Sequence, residues 1–253
     1  MELKSLLETA TQASYDACDV IMDVYQSKSF EEESKNDNSP LTKADKQAHQ
    51  AIAAALASTG IPLLSEEGKE VPYEQRRHWE YFWLVDPLDG TKEFIRRNGE
   101  FTVNVALIHR QRPVIGVVAV PVTRQVYFAY QNGGAYLLNN GNKIALPRRS
   151  RIDLKMHGLR VIASRSHLNE ETQNFINQLA SPELISKGSS LKFMLQAEGL
   201  ADVYPRFAPT MEWDTAAADC IISESGLQIV QTNSGDVMLY NKESLLNPSF
   251  LCY

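Results

Sequence analysis

The amino-acid sequence predicts a mixed α/β protein, a multi-layer α+β arrangement in which helices cover sheets. Three observations carry that expectation: an apolar stripe at helical spacing near the start, a β-rich middle punctuated by turn residues, and strands that alternate with helices thereafter. With 253 residues and 43% hydrophobic content, the chain is long enough for one large domain or two fused smaller ones.

Leu3, Leu6, Leu7, Ala10, Ala13, Ala17, Val20, Ile21 and Val24 fall on one helical stripe. A helix packed on the core accounts for it better than a membrane-surface helix, because Glu8, Asp16, Asp19 and Asp23 on the other face would be repelled by an anionic bilayer. Residues 27–39 are polar and aperiodic, as in an exposed loop, and a second helix is expected over 43–58, stopped by Gly60 and Pro62. A short strand at 61–64 ends in Ser65-Glu66-Glu67-Gly68. The apolar run Tyr81-Phe82-Trp83-Leu84-Val85 reads as a strand buried on both faces. From 101 to 146 the runs 102–108, 114–120 and 126–130 predict strands, with hairpin turns at Gly133-Gly134 and Asn139-Asn140-Gly141.

The basic, polar segment Pro147-Arg148-Arg149-Ser150-Arg151 marks a subdomain boundary, dividing the chain into an α+β half, 1–150, and an α/β half, 151–253. The second half should open with a strand at 159–163 and a helix capped by Asn169. A helix over 191–199 follows Gly188-Ser189-Ser190. A strand at 201–204 then leads to Trp213-Asp214, which opens a helix ending near Gly226.

A formal charge of −6 argues against a surface that coats nucleic acid. Cys18, Cys220 and Cys252 show no CxxC spacing, so neither a disulfide framework nor a zinc site is indicated. No signal-peptide pattern or membrane span is legible, and a reducing cytoplasm is the simplest compartment.

The most informative segment is Asp86-Pro87-Leu88-Asp89-Gly90-Thr91, which closes the buried strand with two carboxylates three residues apart. Pro87 fixes its own φ and pushes Asp86 toward an extended conformation, favouring a tight turn that brings both side chains to one side. The Leu88 carbonyl can point to the same spot, and the N–H groups of Gly90 and Thr91 can bond an anion. An ordinary turn has the same composition. Glu66 and Asp214, at another strand end and at a helix start, favour chemistry instead. Four converging carboxylates must be protonated or neutralised by cations, and oxygen-only ligands select Mg²⁺ over zinc. Asp45 fits a helix-capping arrangement in Thr42-Lys43-Ala44-Asp45; alternatively it pairs with Thr91 to take a proton from a metal-bound water.

The hexapeptide, the upstream Ser65-Glu66-Glu67 and the downstream Trp213-Asp214-Thr215-Ala216-Ala217 resemble, in order and separation, the signatures of the lithium-sensitive, Mg²⁺-dependent phosphatases of the inositol monophosphatase superfamily. Within it, Ser39-Pro40-Leu41-Thr42-Lys43-Ala44-Asp45, Lys92-Glu93-Phe94, Gly188-Ser189-Ser190-Leu191-Lys192-Phe193 and Tyr204-Pro205-Arg206-Phe207 are similar to the bisphosphate nucleotidases. One departure is Ala218, where the family usually has Gly, which questions close packing at that point and not the metal ligands.

The resemblance implies an α-β-α-β-α layered fold with the site between the two halves. It implies hydrolysis of 3′-phosphoadenosine 5′-phosphate to AMP, with the sulfated nucleotide as a second substrate and a role in sulfur assimilation. The runner-up is an inositol or sugar phosphomonoesterase with the same metal centre. A metal-and-nucleotide-binding regulator is disfavoured, because a binder has no need of the Asp45–Thr91 pair. The implied ligands of two or more Mg²⁺ ions are Glu66, Asp86, Asp89, Asp214 and the Leu88 carbonyl, with Asp45, Thr91 and Glu66 catalytic. The Gly90 and Thr91 N–H groups, with Asp214, would face substrate. Ser189, Ser190 and Lys192 form an implied anion pocket for the 5′-phosphate. Ser164, His167 and Arg206 complete the candidate contacts, although a lone His near a helix start is more often structural and Arg206 can equally pair with a neighbouring acid. The partner is thus a small bisphosphorylated nucleotide, not nucleic acid, and Li⁺ is expected to inhibit. Relatives can associate with the cytoplasmic face of the inner membrane, yet nothing in the chain shows an anchor.

Overall fold

A computed structural model describes residues 2–27, 40–163 and 169–253. The expected 27–39 loop, and Ser164 and His167, therefore lie almost entirely outside the described residues.

Helix α1 (Leu3–Tyr25) buries Leu7, Ala10, Ala13, Ala17, Ile21 and Val24 along the predicted stripe. Its small residues let α2 (Pro40–Ala57) pack closely alongside it. The second helix starts earlier than the sequence predicts. Pro40 suits a first helical position because it has no N–H to leave unpaired, and Asp45 consequently lies inside the helix and not at its cap.

The main sheet has seven strands in sequence order: β1 (Leu63–Ser65), β2 (Tyr81–Asp89), β3 (Thr102–His109), β4 (Arg112–Val120), β5 (Gln125–Tyr130), β6 (Ala135–Asn139) and β7 (Asn142–Ala145). Only β1 and β2 are parallel, joined through the short helix α3 (Tyr73–Arg76); every later pair is antiparallel. The sheet is therefore a meander whose one parallel pair carries the acidic strand ends. Both predicted hairpin turns occur, and Asn132, Gly134, Asn140 and Gly141 adopt the positive φ those turns require.

Alternating side chains of this sheet feed two cores. Trp83, Val85, Val103, Val105, Leu107, Val117 and Ala119 face α1 and α2. Phe82, Leu84, Ala106, Ile108, Val118 and Val120 face the opposite way, toward residues of the second half. This explains the uninterrupted apolar runs, since an antiparallel sheet covered on both faces needs no polar side.

The second half supplies β8 (Arg160–Ile162), α5 (Glu170–Asn177), β9 (Glu183–Ile185), α6 (Leu191–Ala197), β10 (Tyr204–Arg206), α7 (Glu212–Glu224), β11 (Ile229–Gln231) and β12 (Phe250–Cys252). Asn169 caps α5 as expected, accepting the Thr172 N–H at 3.0 Å. The strand predicted at 201–204 lies later, at Tyr204–Arg206, because antiparallel pairing with β12 sets its register. Helices α6 and α7 contact each other, α7 covers the main sheet, and the small β10–β12–β11 sheet lies beyond them with α5 against β10. The order of layers is α-β-α-β-α.

Helix α7 comes close to the sheet at Gly116 of β4. A Cβ there would collide with the Ala217 carbonyl oxygen and stand 2.8 Å from Cys220 Cβ. Ala218, the departure from the family pattern, is accommodated in the core at 1% exposure. The glycine that permits close packing of α7 lies on the strand it covers.

The start of α7 is anchored separately. Glu212 is fully buried and accepts from the Asn241 N–H at 2.6 Å, the Lys242 N–H at 3.0 Å and Lys242 Nζ at 2.5 Å. Arg76 grips the same segment, donating to Asn241 Oδ1 and to the Lys242 and Glu243 carbonyls.

Candidate functional site

The parallel pair places its acids side by side. Glu66 follows β1 directly, its N–H donating to the Val85 carbonyl of β2 at 3.1 Å. The structure keeps Asp86 and Asp89 inside β2, where the sequence reading placed them just beyond the strand. A register shift between them, opposite Asn104 and Thr102 of β3, lets both turn toward the site. Pro87 needs no ladder partner at such a bulge. The Leu88 N–H donates to Asp86 Oδ1 at 3.0 Å, closing the turn, while the Leu88 side chain is buried beneath it. Gly90 then takes φ 98°, a left-handed conformation that permits α4 (Thr91–Ile95) to start at once. A side chain at Gly90 would also press on Ser189 Cβ at 3.1 Å.

Asp214 comes from α7 and has two duties. Its Oδ2 accepts the Met211 N–H at 2.8 Å, capping the helix, and its carboxyl lies within the field of Asp89 and Glu66. Asp45 joins from α2, which contacts both β2 and α4, so the helices carrying Asp45 and Thr91 touch. The structure thus brings Asp45, Glu66, Asp86, Asp89, Gly90, Thr91 and Asp214 to one place.

The electrostatics of this place are one-sided. Burial, then the charges of Asp89, Glu66, Asp214 and Asp45, push the Asp86 carboxyl well above the usual range. Burial raises Glu66 too, against a hydrogen bond with Asp86 and in concert with Glu67 and Asp89. The Glu66 residue is solvent-exposed overall, so its carboxyl is desolvated by the cleft walls and not by full enclosure. Burial with Asp89 and Glu66 carries Asp214 to about 7, and burial with Glu67 and Glu66 carries Asp45 to about 8. Among the described residues, no three His, Cys, Asp or Glu groups already close on a single point as a finished ligand set. The carboxylates are neighbours that repel one another. Oxygen-only donors with mutually raised pKa values are the donor set a hard divalent cation neutralises, so the residues fit Mg²⁺.

These shifts have a measurable consequence without metal. Asp45 and Asp214 bind protons more tightly folded than unfolded, where carboxyls titrate near 3.8. Their stabilising contribution is complete below that value and is lost as the pH rises through about 7 and about 8. In EDTA the Tm should fall between about pH 5 and 9, and Mg²⁺ should restore most of it at the alkaline end, because the cation replaces the protons. A Tm rising over that window in EDTA would contradict the raised values.

Beside the acids lies a pocket lined by Asp89, Ser189, Lys192, Arg206 and Asp214 among others. Ser189 adopts φ 42°, and its Oγ is buried without a hydrogen-bond partner, as is Arg206 Nε. Two unpaired polar groups in one pocket are what a polar ligand would satisfy. Lys192 reaches back to the Ser189 carbonyl at 3.1 Å and sits over the Tyr204 ring. Arg206 also donates to the Pro209 carbonyl at 3.2 Å.

Ser190 lines the same pocket, but its hydroxyl is already engaged. It is 1% exposed, it donates to Asp89 Oδ2 at 2.8 Å and it accepts from Asn104 Nδ2 at 2.9 Å. Sequence reasoning missed Thr102 and Asn104 altogether. Their signal was available: two polar residues at i and i+2 in a run that is otherwise apolar through Ile108, which places both on one face.

A layered fold with an acid cluster at the parallel strand pair of the main sheet fits a metal-dependent, phosphoester-cleaving class of site. The chain belongs to the inositol monophosphatase family, whose model matches residues 2–251. It is 45% identical over 249 residues to the 3′(2′),5′-bisphosphate nucleotidase CysQ of Salmonella typhimurium, covering 97% of this chain and 98% of the relative. The enzyme of that name from Escherichia coli K12 is 43% identical over the same length, with the same shares covered. The crystal structure of CysQ from Bacteroides thetaiotaomicron superposes with a TM-score of 0.88 at 45% identity, covering 98% of this chain and 96% of that one. An inositol monophosphatase from Zymomonas mobilis shares the fold, with a TM-score of 0.79 at 21% identity. Among the described residues, no helix is long and apolar enough to cross a membrane.

Proposed function

We propose that this chain is a Mg²⁺-dependent 3′(2′),5′-bisphosphate nucleotidase, a phosphoric monoester hydrolase that releases phosphate from 3′-phosphoadenosine 5′-phosphate to leave AMP. The sulfated nucleotide is a second substrate by the same cut, which gives the enzyme a place in sulfur assimilation within the cytoplasm. The observation that carries the reading is the cluster of mutually raised carboxylates beside a pocket with two unpaired polar groups, in a chain 43–45% identical to bisphosphate nucleotidases over nearly its whole length.

Glu66, Asp86, Asp89, Asp214 and the Leu88 carbonyl would hold two or more Mg²⁺ ions. When bound, the metal neutralises phosphate charge, makes a nucleophilic water more acidic and stabilises the departing 3′-oxygen. The chain's own groups do the rest. Gly90 and Thr91 present N–H groups to the scissile phosphate at the start of α4, fixing it for in-line attack. Asp45, which burial with Glu67 and Glu66 raises to about 8 in the metal-free protein and which a bound cation would return toward its ionised form, takes the proton of the attacking water directly or through the Thr91 hydroxyl. As the new P–O bond forms, the bond to the 3′-oxygen breaks, and that oxygen leaves with a proton as the nucleoside hydroxyl.

Ser189, Lys192 and Arg206 bind the 5′-phosphate. This second anionic contact distinguishes a bisphosphorylated nucleotide from an inositol ester, which has a single phosphate to offer. Phosphate release from 3′-phosphoadenosine 5′-phosphate and from inositol 1-phosphate, measured side by side with Mg²⁺, tests the assignment. A strong preference for the nucleotide is expected. Preference for the inositol ester would retain the metal site and refute the 5′-phosphate pocket.

A further inference from the structure

The hydrogen bonds around Asp89 run in one direction. Asn104 Nδ2 donates to Ser190 Oγ at 2.9 Å, and Ser190 Oγ donates to Asp89 Oδ2 at 2.8 Å. Thr102 Oγ1 and Asn104 Nδ2 also approach that same oxygen, each at 3.4 Å. All these donors gather on Oδ2 and none of them reaches Oδ1. A serine hydroxyl has one proton to give. Here it lies nearer Asp89 than the Asp214 carbonyl, which is 3.1 Å away. The neighbouring serine contrasts with it, because Ser189 Oγ has no partner and is available to a ligand.

We propose that Asn104 and Ser190 are positioning residues that hold the Asp89 carboxylate by its inner oxygen and so present the outer one to the cation. The inference rests on the assignment of Asp89 as a metal ligand and goes beyond it. Register supports it: Thr102 stands opposite Asp89 and Asn104 opposite Asp86 across the β2–β3 ladder, so β3 carries its polar pair at the place where β2 is bulged. Both Asn104 and Ser190 are 1% exposed, and Asp89 Oδ2 is the acceptor their donors share. Ser190 comes from the start of α6 and Asn104 from the main sheet. The relay therefore ties the second half to the acid cluster of the first, and its closeness to the Asp214 carbonyl brings a second acidic residue into register.

Groups that orient metal ligands typically change metal affinity by about 10–100-fold when removed. The experiment is calorimetric titration of Mg²⁺ into the full chain without substrate, for wild type, Ser190→Ala, Ser190→Thr, Asn104→Ala, the double alanine variant and Asp89→Asn. Ser190→Ala and Asn104→Ala should each bind Mg²⁺ about 10–100-fold more weakly. The double variant should be at least as weak as Ser190→Ala, because Asn104 acts through Ser190 and also approaches Asp89 Oδ2 itself. Ser190→Thr, which keeps the hydroxyl, should bind close to wild type. The Tm in EDTA should separate these effects from unfolding, and if Asn104→Ala does not fold, Ser190→Ala alone decides, being the loss of one atom. Wild-type Mg²⁺ affinity in Ser190→Ala with a raised KM for the nucleotide would overturn the proposal and make Ser190 a substrate contact. Wild-type Mg²⁺ affinity in Asp89→Asn would instead refute the metal-ligand assignment on which it stands.

Discussion

Asp89→Asn should abolish phosphate release and leave the protein folded. The amide has nearly the shape of the carboxylate and can still accept from Ser190, but it removes one negative charge from the cation site. A metal ion contributes several kcal/mol of transition-state stabilisation, and each 1.4 kcal/mol is tenfold in rate, so kcat/KM should fall by about a thousandfold or more. Stability in EDTA should move the opposite way or not at all. Asp89 is among the charges that raise Asp86, Glu66 and Asp214, and deleting it relieves repulsion inside a partly buried cluster. Steady-state kinetics with saturating Mg²⁺, alongside thermal melts in EDTA, check both halves. Turnover within tenfold of wild type would sink the assignment, and a large loss of Tm would mean that the carboxylate serves the fold.

The second large effect is structural. Gly116→Val should destabilise the chain strongly, because the new Cβ meets the backbone of α7 at Ala217 and the Cβ of Cys220. A flexible side-chain tip could swing away from such a clash; a helix backbone cannot without lifting the whole element off the sheet. Overpacking of this kind costs about 1–3 kcal/mol or more, which in a chain of this length lowers Tm by about 2–4 °C per kcal/mol. Activity should fall too, since α7 carries Asp214 at its first turn and any tilt moves that carboxyl relative to Asp89. A melt unchanged by the substitution would show that α7 is free to move away from β4, against the packing described.

The sequence alone pointed to the candidate acids of the site and determined the type of most elements. Asp86 and Asp89 could be read because Pro and Gly force a turn at the end of an apolar run, and the first helix because its stripe repeats at one period over six turns. Glu66 and Asp214 became legible only in combination with that turn and with the family resemblance, since each alone is an ordinary end-of-element acid. Tertiary structure decided the rest, for reasons no local pattern carries. Continuous apolar strands predicted burial on both faces, but only the packing shows what covers them: helices from both halves, on either side of a largely antiparallel meander. Capping logic put Asp45 in the first turn of a helix, whereas α2 begins earlier than expected, at Pro40. Ser189 and Ser190 are chemically identical neighbours lining one pocket, yet the first has an unpaired hydroxyl and the second is held by Asn104 and Asp89. Only the contacts that folding brings to residue 190 from β2 and β3 separate them. Directional contacts between residues 86 and 101 positions apart are set by how layers meet, and a one-dimensional pattern holds no trace of that meeting.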